Sequence, residues 1–122
     1  MIKVNMGCGW RNFGDDWVHI DGGNYDHLDY HSITELPFED DSVDLIYASH
    51  VLEYFDRTEV LEVLSEWYRV LAPGATLRLA VPDFEAMARL YCYDFCDLSM
   101  FLGPLYGKIH MKDQVIYHKT TY

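Results

Sequence analysis

Apolar and polar positions alternate in short blocks along this chain, and the period of the blocks changes from one to the next. Residues 3–6 are a short, largely apolar run that predicts a first strand. Residues 17–20 predict a second, broken by Gly22-Gly23-Asn24. Residues 25–34 carry only Leu28, Tyr30 and Ile33 as apolar positions, and fit either a short third strand or an irregular segment. Residues 43–48, Val-Asp-Leu-Ile-Tyr-Ala, are nearly all apolar, as a central parallel strand should be. Residues 58–71 place Val60, Leu61, Val63, Leu64, Trp67, Tyr68 and Leu71 at helical spacing. Asp56 or Thr58 is placed to cap that helix, and Pro73-Gly74 to stop it. Residues 76–81 predict another strand. Asp83 then caps a predicted helix to about Tyr93, with Phe84, Met87, Ala88, Leu90 and Tyr91 inward. From Ser99 the pattern loosens into an aromatic, partly polar tail.

Strands alternating with helical or crossover segments predict one α/β domain over residues 1–122, with a mostly parallel sheet covered on both faces. Ligands of such sheets bind outside the carboxyl ends of the strands. Three stretches fall at those ends: Gly7-Cys8-Gly9, Asp21 and Ser49-His50. The glycines let the backbone turn with positive φ and let a ligand approach, because no Cβ intervenes. A carboxylate closing the next strand can accept hydrogen bonds from both hydroxyls of a ribose. The pattern therefore predicts a crevice for a ribose-bearing cofactor. A nicotinamide dinucleotide site wants a third glycine opening a helix, and that position holds Asn12.

Composition narrows the choice. At 122 residues the chain is one domain at most, and with half its residues apolar it should fold. A formal net charge of −11 with scattered Lys and Arg argues against a nucleic-acid partner. No apolar run approaches the roughly 20 residues that span a bilayer, and the start has no signal-peptide pattern. No membrane association and a cytoplasmic location are expected. Three cysteines, an odd number, predict free thiols in a reducing compartment. Cys92 and Cys96 read as small packed hydrophobes, and Cys8, with no base beside it, as a packing residue rather than a nucleophile. Asp26, His27, Asp29 and His31 have the composition of a metal cluster. The i, i+4 spacing of the histidines needs a helix that the pattern does not support, so a solvated loop and no metal are expected.

Several blocks in order carry a family resemblance. They are Asn5-Met6-Gly7-Cys8-Gly9, then Trp17-Val18-His19-Ile20-Asp21, then residues 36–53 from Leu-Pro-Phe to Ser49-His50-Val51-Leu52-Glu53. Glu66-Trp67-Tyr68-Arg69-Val70-Leu71-Ala72-Pro73-Gly74 and Leu77-Arg78-Leu79-Ala80-Val81-Pro82-Asp83 complete the set. Together they resemble the class I S-adenosylmethionine-dependent methyltransferases, and within them the small methyltransferases of type 11. The resemblance implies a Rossmann-like sheet in the order 3-2-1-4-5, counting expected strands along the chain. It implies that Gly7 and Gly9, with Cys8 between them, line the methionine part of S-adenosylmethionine, with Asn5 where the family often has an acid. Asp21 would hold the ribose hydroxyls, and Ser32 and Ile33 would meet the adenine edge. Ala48, Ser49 and His50 would pass near the sulfonium and the acceptor.

The chain departs from that pattern in three places. The link from Gly9 to Asp21 is too short for a full first helix and a strand. No segment is expected ahead of the first strand, where many members of the family carry helices. After residue 120 nothing is left to form the helix and two further strands that usually finish the family's sheet, so the chain is expected to be a C-terminally truncated frame. The strand at residues 76–81 would then be a bare apolar edge, and the alternative to a truncated frame is a homodimer that covers it. The expected function is methyl transfer from S-adenosylmethionine to a small-molecule or glycan-type acceptor. The alternative is a non-catalytic fragment that binds the donor or S-adenosylhomocysteine, or that oligomerises. His50 is the candidate base, required if the acceptor must lose a proton; Glu53 is expected to solvate a helix start or pair with a neighbour. Tyr91, Tyr93, Phe95, Phe101, Tyr106 and Tyr117 either line an acceptor pocket or pack.

Overall fold

In the computed structural model, which describes residues 1–94 and 96–122, β1 (Lys3–Met6) lies inside a four-stranded parallel sheet. Its neighbours are β2 (Val18–Ile20) on one side and β3 (Val43–Ser49) on the other, and β4 (Leu71–Ala80) pairs with β3. The order is β2-β1-β3-β4. The five-stranded order 3-2-1-4-5 is therefore not formed. The stretch expected as a third strand is reduced to one parallel bridge, Tyr30 to Ile20. The physical reason is local. Residues 25–34 have few apolar side chains to bury, and Asp29 Oδ2 accepts the His19 N–H at 2.8 Å, so a side chain occupies a donor that a ladder would use.

Between β1 and β2 the chain crosses without a helix, as residues 7–17 are too few to build one and return. The loop is held from inside by His19, which is buried and accepts the Phe13 N–H through Nε2 at 2.8 Å. Burial, then the neighbouring His27, holds the His19 imidazole below its ordinary value, which keeps Nε2 free to accept.

β3 leads through a 3-10 turn at Leu52–Tyr54 into α1 (Glu59–Val70). Asp56 Oδ1 caps α1 by accepting from Thr58 N and Glu59 N, at 2.7 and 2.8 Å. Val60, Val63, Trp67 and Val70 face the sheet and meet Val4, Met6, Ile20, Val43, Ile46 and Ala48 in one core. Leu61 and Tyr68, expected on that stripe, are exposed instead, since a single helix covers only a band of sheet about 100° wide on its own circumference. The helix also ends earlier than Pro73-Gly74. Loop amides close it, with Asp41 N and Ser42 N donating to the carbonyls of Arg69 and Val70. Pro73-Gly74 lies where the β3–β4 register shifts, with Gly74 at φ 82°.

Arg69, beside the apolar stripe of α1, is half-buried. Its guanidinium donates to both oxygens of Glu66, to Asp40 Oδ1 and to the carbonyls of Leu36 and Phe38. Glu66 in turn accepts from Leu36 N at 2.8 Å. The Arg69 bonds, first of all, hold the Glu66 carboxyl below its ordinary value. This network pins residues 36–38 to α1.

The outer part of the sheet is thinly covered. Asp83 caps α2 (Phe84–Tyr93) by accepting from Ala86 N, as expected, but α2 carries no buried residue. Leu77 and Leu79 of β4 stay exposed, and among the described residues no strand pairs with the outer edge of β4. Coverage of both faces is thus not complete. A 3-10 turn at Leu98–Phe101 runs into α3 (Leu102–Tyr106). The chain then folds back as a hairpin of β5 (Ile109–His110) and β6 (Val115–Ile116). No helix among the described residues is long and apolar enough to cross a membrane.

Candidate functional site

The carboxyl ends of β1, β2 and β3 open into one cavity of about 700 Å³, within the range of roughly 300–1,000 Å³ typical of small-molecule sites. Gly7 follows β1, Asp21 and Gly22 follow β2, and His50 and Val51 follow β3; residues 31–34 form a side wall. The tail supplies the roof, through Ile109, Met111, residues 114–116, Tyr117 and His118. The tail is tied down at Glu53, whose carbonyl accepts from Lys119 N at 2.8 Å, and by Lys119 Nζ on Glu59 at 2.9 Å.

Gly7 sits at φ 61°, and a Cβ there would run into the Val51 side chain. The amides of Gly7 and Cys8 both donate to the Ile20 carbonyl, which locks the β1 turn onto the end of β2. Gly7→Ala meets both obstacles, a left-handed backbone costing about 1–2 kcal/mol and overpacking against buried Val51 costing about 1–3 kcal/mol. A loss of roughly 2–5 kcal/mol in urea unfolding is expected from those terms, and an unchanged midpoint would contradict this placement.

Asp21 is half-buried and its carboxylate is braced by backbone. Oδ2 accepts from Gly9 N at 2.8 Å and Oδ1 from Gly23 N at 2.6 Å. A carboxylate has about four lone-pair positions, so two stay free beside the cavity. Gly22 lies under Met111, whose Cε is 2.6 Å from where a Cβ would stand. Ile33 is fixed from behind, since its carbonyl accepts from Trp67 Nε1 at 2.8 Å. Ser32 lines the wall, with its Oγ accepting from Glu35 N at 3.0 Å.

Five of the residues singled out in the sequence therefore line the cavity: Gly7, Asp21, Ser32, Ile33 and His50. The other five stand behind it. Asn5 is buried in β1, with Nδ2 3.4 Å from the Arg11 carbonyl. Gly9 supports Asp21 through its amide. Ala48 is buried in the sheet and Ser49 ends β3. Cys8 is buried, 3.7 Å from His27 Nε2, and burial followed by the charge of Asp21 pushes its thiol up to about 11. It is a neutral, packed thiol near neutral pH.

Of the tail aromatics, Tyr117 lines the cavity. Tyr91 and Tyr93 are exposed, Phe101 packs edge-on against Tyr91, and Tyr106 faces a separate depression beside Gly107. Phe95 lies outside the described residues. Among the described residues no group of His, Cys, Asp and Glu could hold a metal ion.

Sequence reasoning missed two features. One is the hairpin roof. Its signal is a pair of β-branched runs around Lys112-Asp113, where Met111 N donates to the Gln114 carbonyl at 2.8 Å. The other is Glu53, which is fully buried. Its Oε1 lies 3.0 Å from His50 Nδ1 and 3.8 Å from His118 Nε2. Burial, then the charge of Glu53, raises the phenols of Tyr54 and Tyr122.

Compared with protein families, residues 18–79 match the model of a methyltransferase domain. The match runs from β2 almost to the end of β4 and takes in Asp21, the 31–34 wall and His50; the glycine turn precedes it. No curated protein matches the chain. A family match over more than half of the 122 residues, on a parallel α/β sheet with its cavity at the strand ends, shows that the chain belongs to the methyltransferase domain family.

Proposed function

We propose that the cavity binds S-adenosylmethionine and that the chain transfers its methyl group to a small-molecule or glycan-type acceptor. The observation that carries this reading is Asp21. Its carboxylate is held by two backbone amides, keeps lone pairs free, and stands beside Gly7 at the mouth of a cavity of about 700 Å³. Such a carboxylate suits a pair of vicinal hydroxyls. Ile33 of the wall and Met111 of the roof offer apolar surface for a flat ring. Bound there, the donor would supply an electrophilic methyl group. The protein's share is to position the acceptor and to take its proton where there is one to lose. His50, with its side chain 58% exposed, lines the cavity and is the residue assigned that role.

The test is a titration with S-adenosylhomocysteine followed by amide NMR. Shifts centred on Gly7, Asp21, Gly22 and residues 31–34 are expected. No shifts, or shifts confined to β4 and α2, would overturn the reading.

A further inference from the structure

The buried carboxylate behind the cavity wall does not line the cavity, and its surroundings are unusual. Glu53 is fully buried, one oxygen is 3.0 Å from His50 Nδ1, and the other has no hydrogen-bond partner among the described residues. Leaving a carboxylate oxygen unpaired away from water is costly, so the group is held there against its own solvation. His50 is held against its preference too. It is one of two non-glycine residues at positive φ among the described residues, at 57°, kept there by its amide donating to the Ala80 carbonyl at 2.8 Å. A left-handed backbone costs an ordinary side chain about 1–2 kcal/mol, and such strain clusters where a side chain must be aimed.

We propose that Glu53 is a positioning residue for His50. The carboxylate accepts the Nδ1–H of the imidazole, which fixes the tautomer with Nε2 unprotonated. The ring lines the cavity while Nδ1 is turned back to Glu53, which leaves Nε2 as its remaining proton acceptor. A proton leaving an acceptor group such as a hydroxyl would pass to Nε2, giving an imidazolium whose charge the neighbouring carboxylate offsets. His118, from the tail, approaches the same oxygen, with its Nε2 3.8 Å from Glu53 Oε1. Its Nδ1 lies 3.1 Å from the Pro104 carbonyl, which can only accept, so that nitrogen carries a hydrogen. The tail thus walls off the carboxylate from water. Glu53 holds the tail through its main-chain oxygen, which a side-chain substitution leaves in place. This inference rests on the methyl-transfer reading only for the purpose of the base, not for its geometry.

The experiment is long-range 1H–15N NMR of the imidazole rings, without ligand, at about pH 8.5, some two units above the ordinary imidazole value. In the intact chain His50 is expected to show one tautomer, Nδ1–H with Nε2 bare. In Glu53→Gln, with the amide spectrum confirming the fold, that single tautomer is expected to be lost to a mixture. A mixed or Nε2–H signal from His50 in the intact chain would overturn the proposal, as would an unchanged tautomer in a folded Glu53→Gln. If the variant does not fold, the intact chain's tautomer decides alone. Failure of donor binding would appear separately, in the titration with S-adenosylhomocysteine.

Discussion

Asp21→Ala is expected to weaken S-adenosylmethionine binding at least about 100-fold while leaving the fold in place. A hydrogen bond to a charged group contributes about 1.5–3 kcal/mol, and the free lone pairs of Asp21 can take two. Two bonds at the lower end of that range, about 3 kcal/mol together, exceed the roughly 2.7 kcal/mol that corresponds to 100-fold. The cost to the fold is smaller. Gly9 N and Gly23 N lose their acceptor, but Asp21 is half-buried and water can reach the turn. Calorimetry and urea unfolding of the same variant separate the two effects. Unchanged affinity in a folded Asp21→Ala would remove the carboxylate from the site.

Trp67→Ala is expected to have the largest effect on stability. The side chain is fully buried at the centre of the core, and truncating a buried aromatic costs about 3–5 kcal/mol. That is a large part of the roughly 5–15 kcal/mol that holds a domain together. The change also frees the Ile33 carbonyl from Trp67 Nε1, so the 31–34 wall should loosen and donor affinity should fall with stability. Trp67→Phe separates packing from the bond. It keeps most of the apolar volume and is expected to cost about 1–3 kcal/mol, the range for a partner left unpaired. A urea midpoint unmoved by either substitution would contradict the account of how the wall is fixed.

Much of the frame is legible in the sequence, because it is built from local signals. The apolar runs of β1, β2 and β3, the stripe of α1 and the Asp83 cap each follow from periodicity or from one side chain's reach. Gly7 and Asp21 are legible for the same reason, since a turn and the carboxylate that braces it lie on adjoining strand ends. What was not legible depends on contacts from far along the chain. Glu53 reads as a charge that solvates a helix start or pairs with a neighbour; it does meet His50, but its full burial, with His118 of the folded-back tail 3.8 Å away, has no local signal. The hairpin roof is two short strands that mean little until they lie over Gly22. The third strand failed for the opposite reason. Its residues satisfy their neighbours through side chains, as Asp29 does for His19, and leave one bridge where a ladder was expected.

The central claim is that a parallel sheet with this glycine turn and this carboxylate forms a methyl-donor site. It is tested most directly by calorimetric titration of the intact chain with S-adenosylmethionine. A saturable heat with one site per chain is the result predicted, and no heat at saturating ligand from a folded chain is the result that would contradict it.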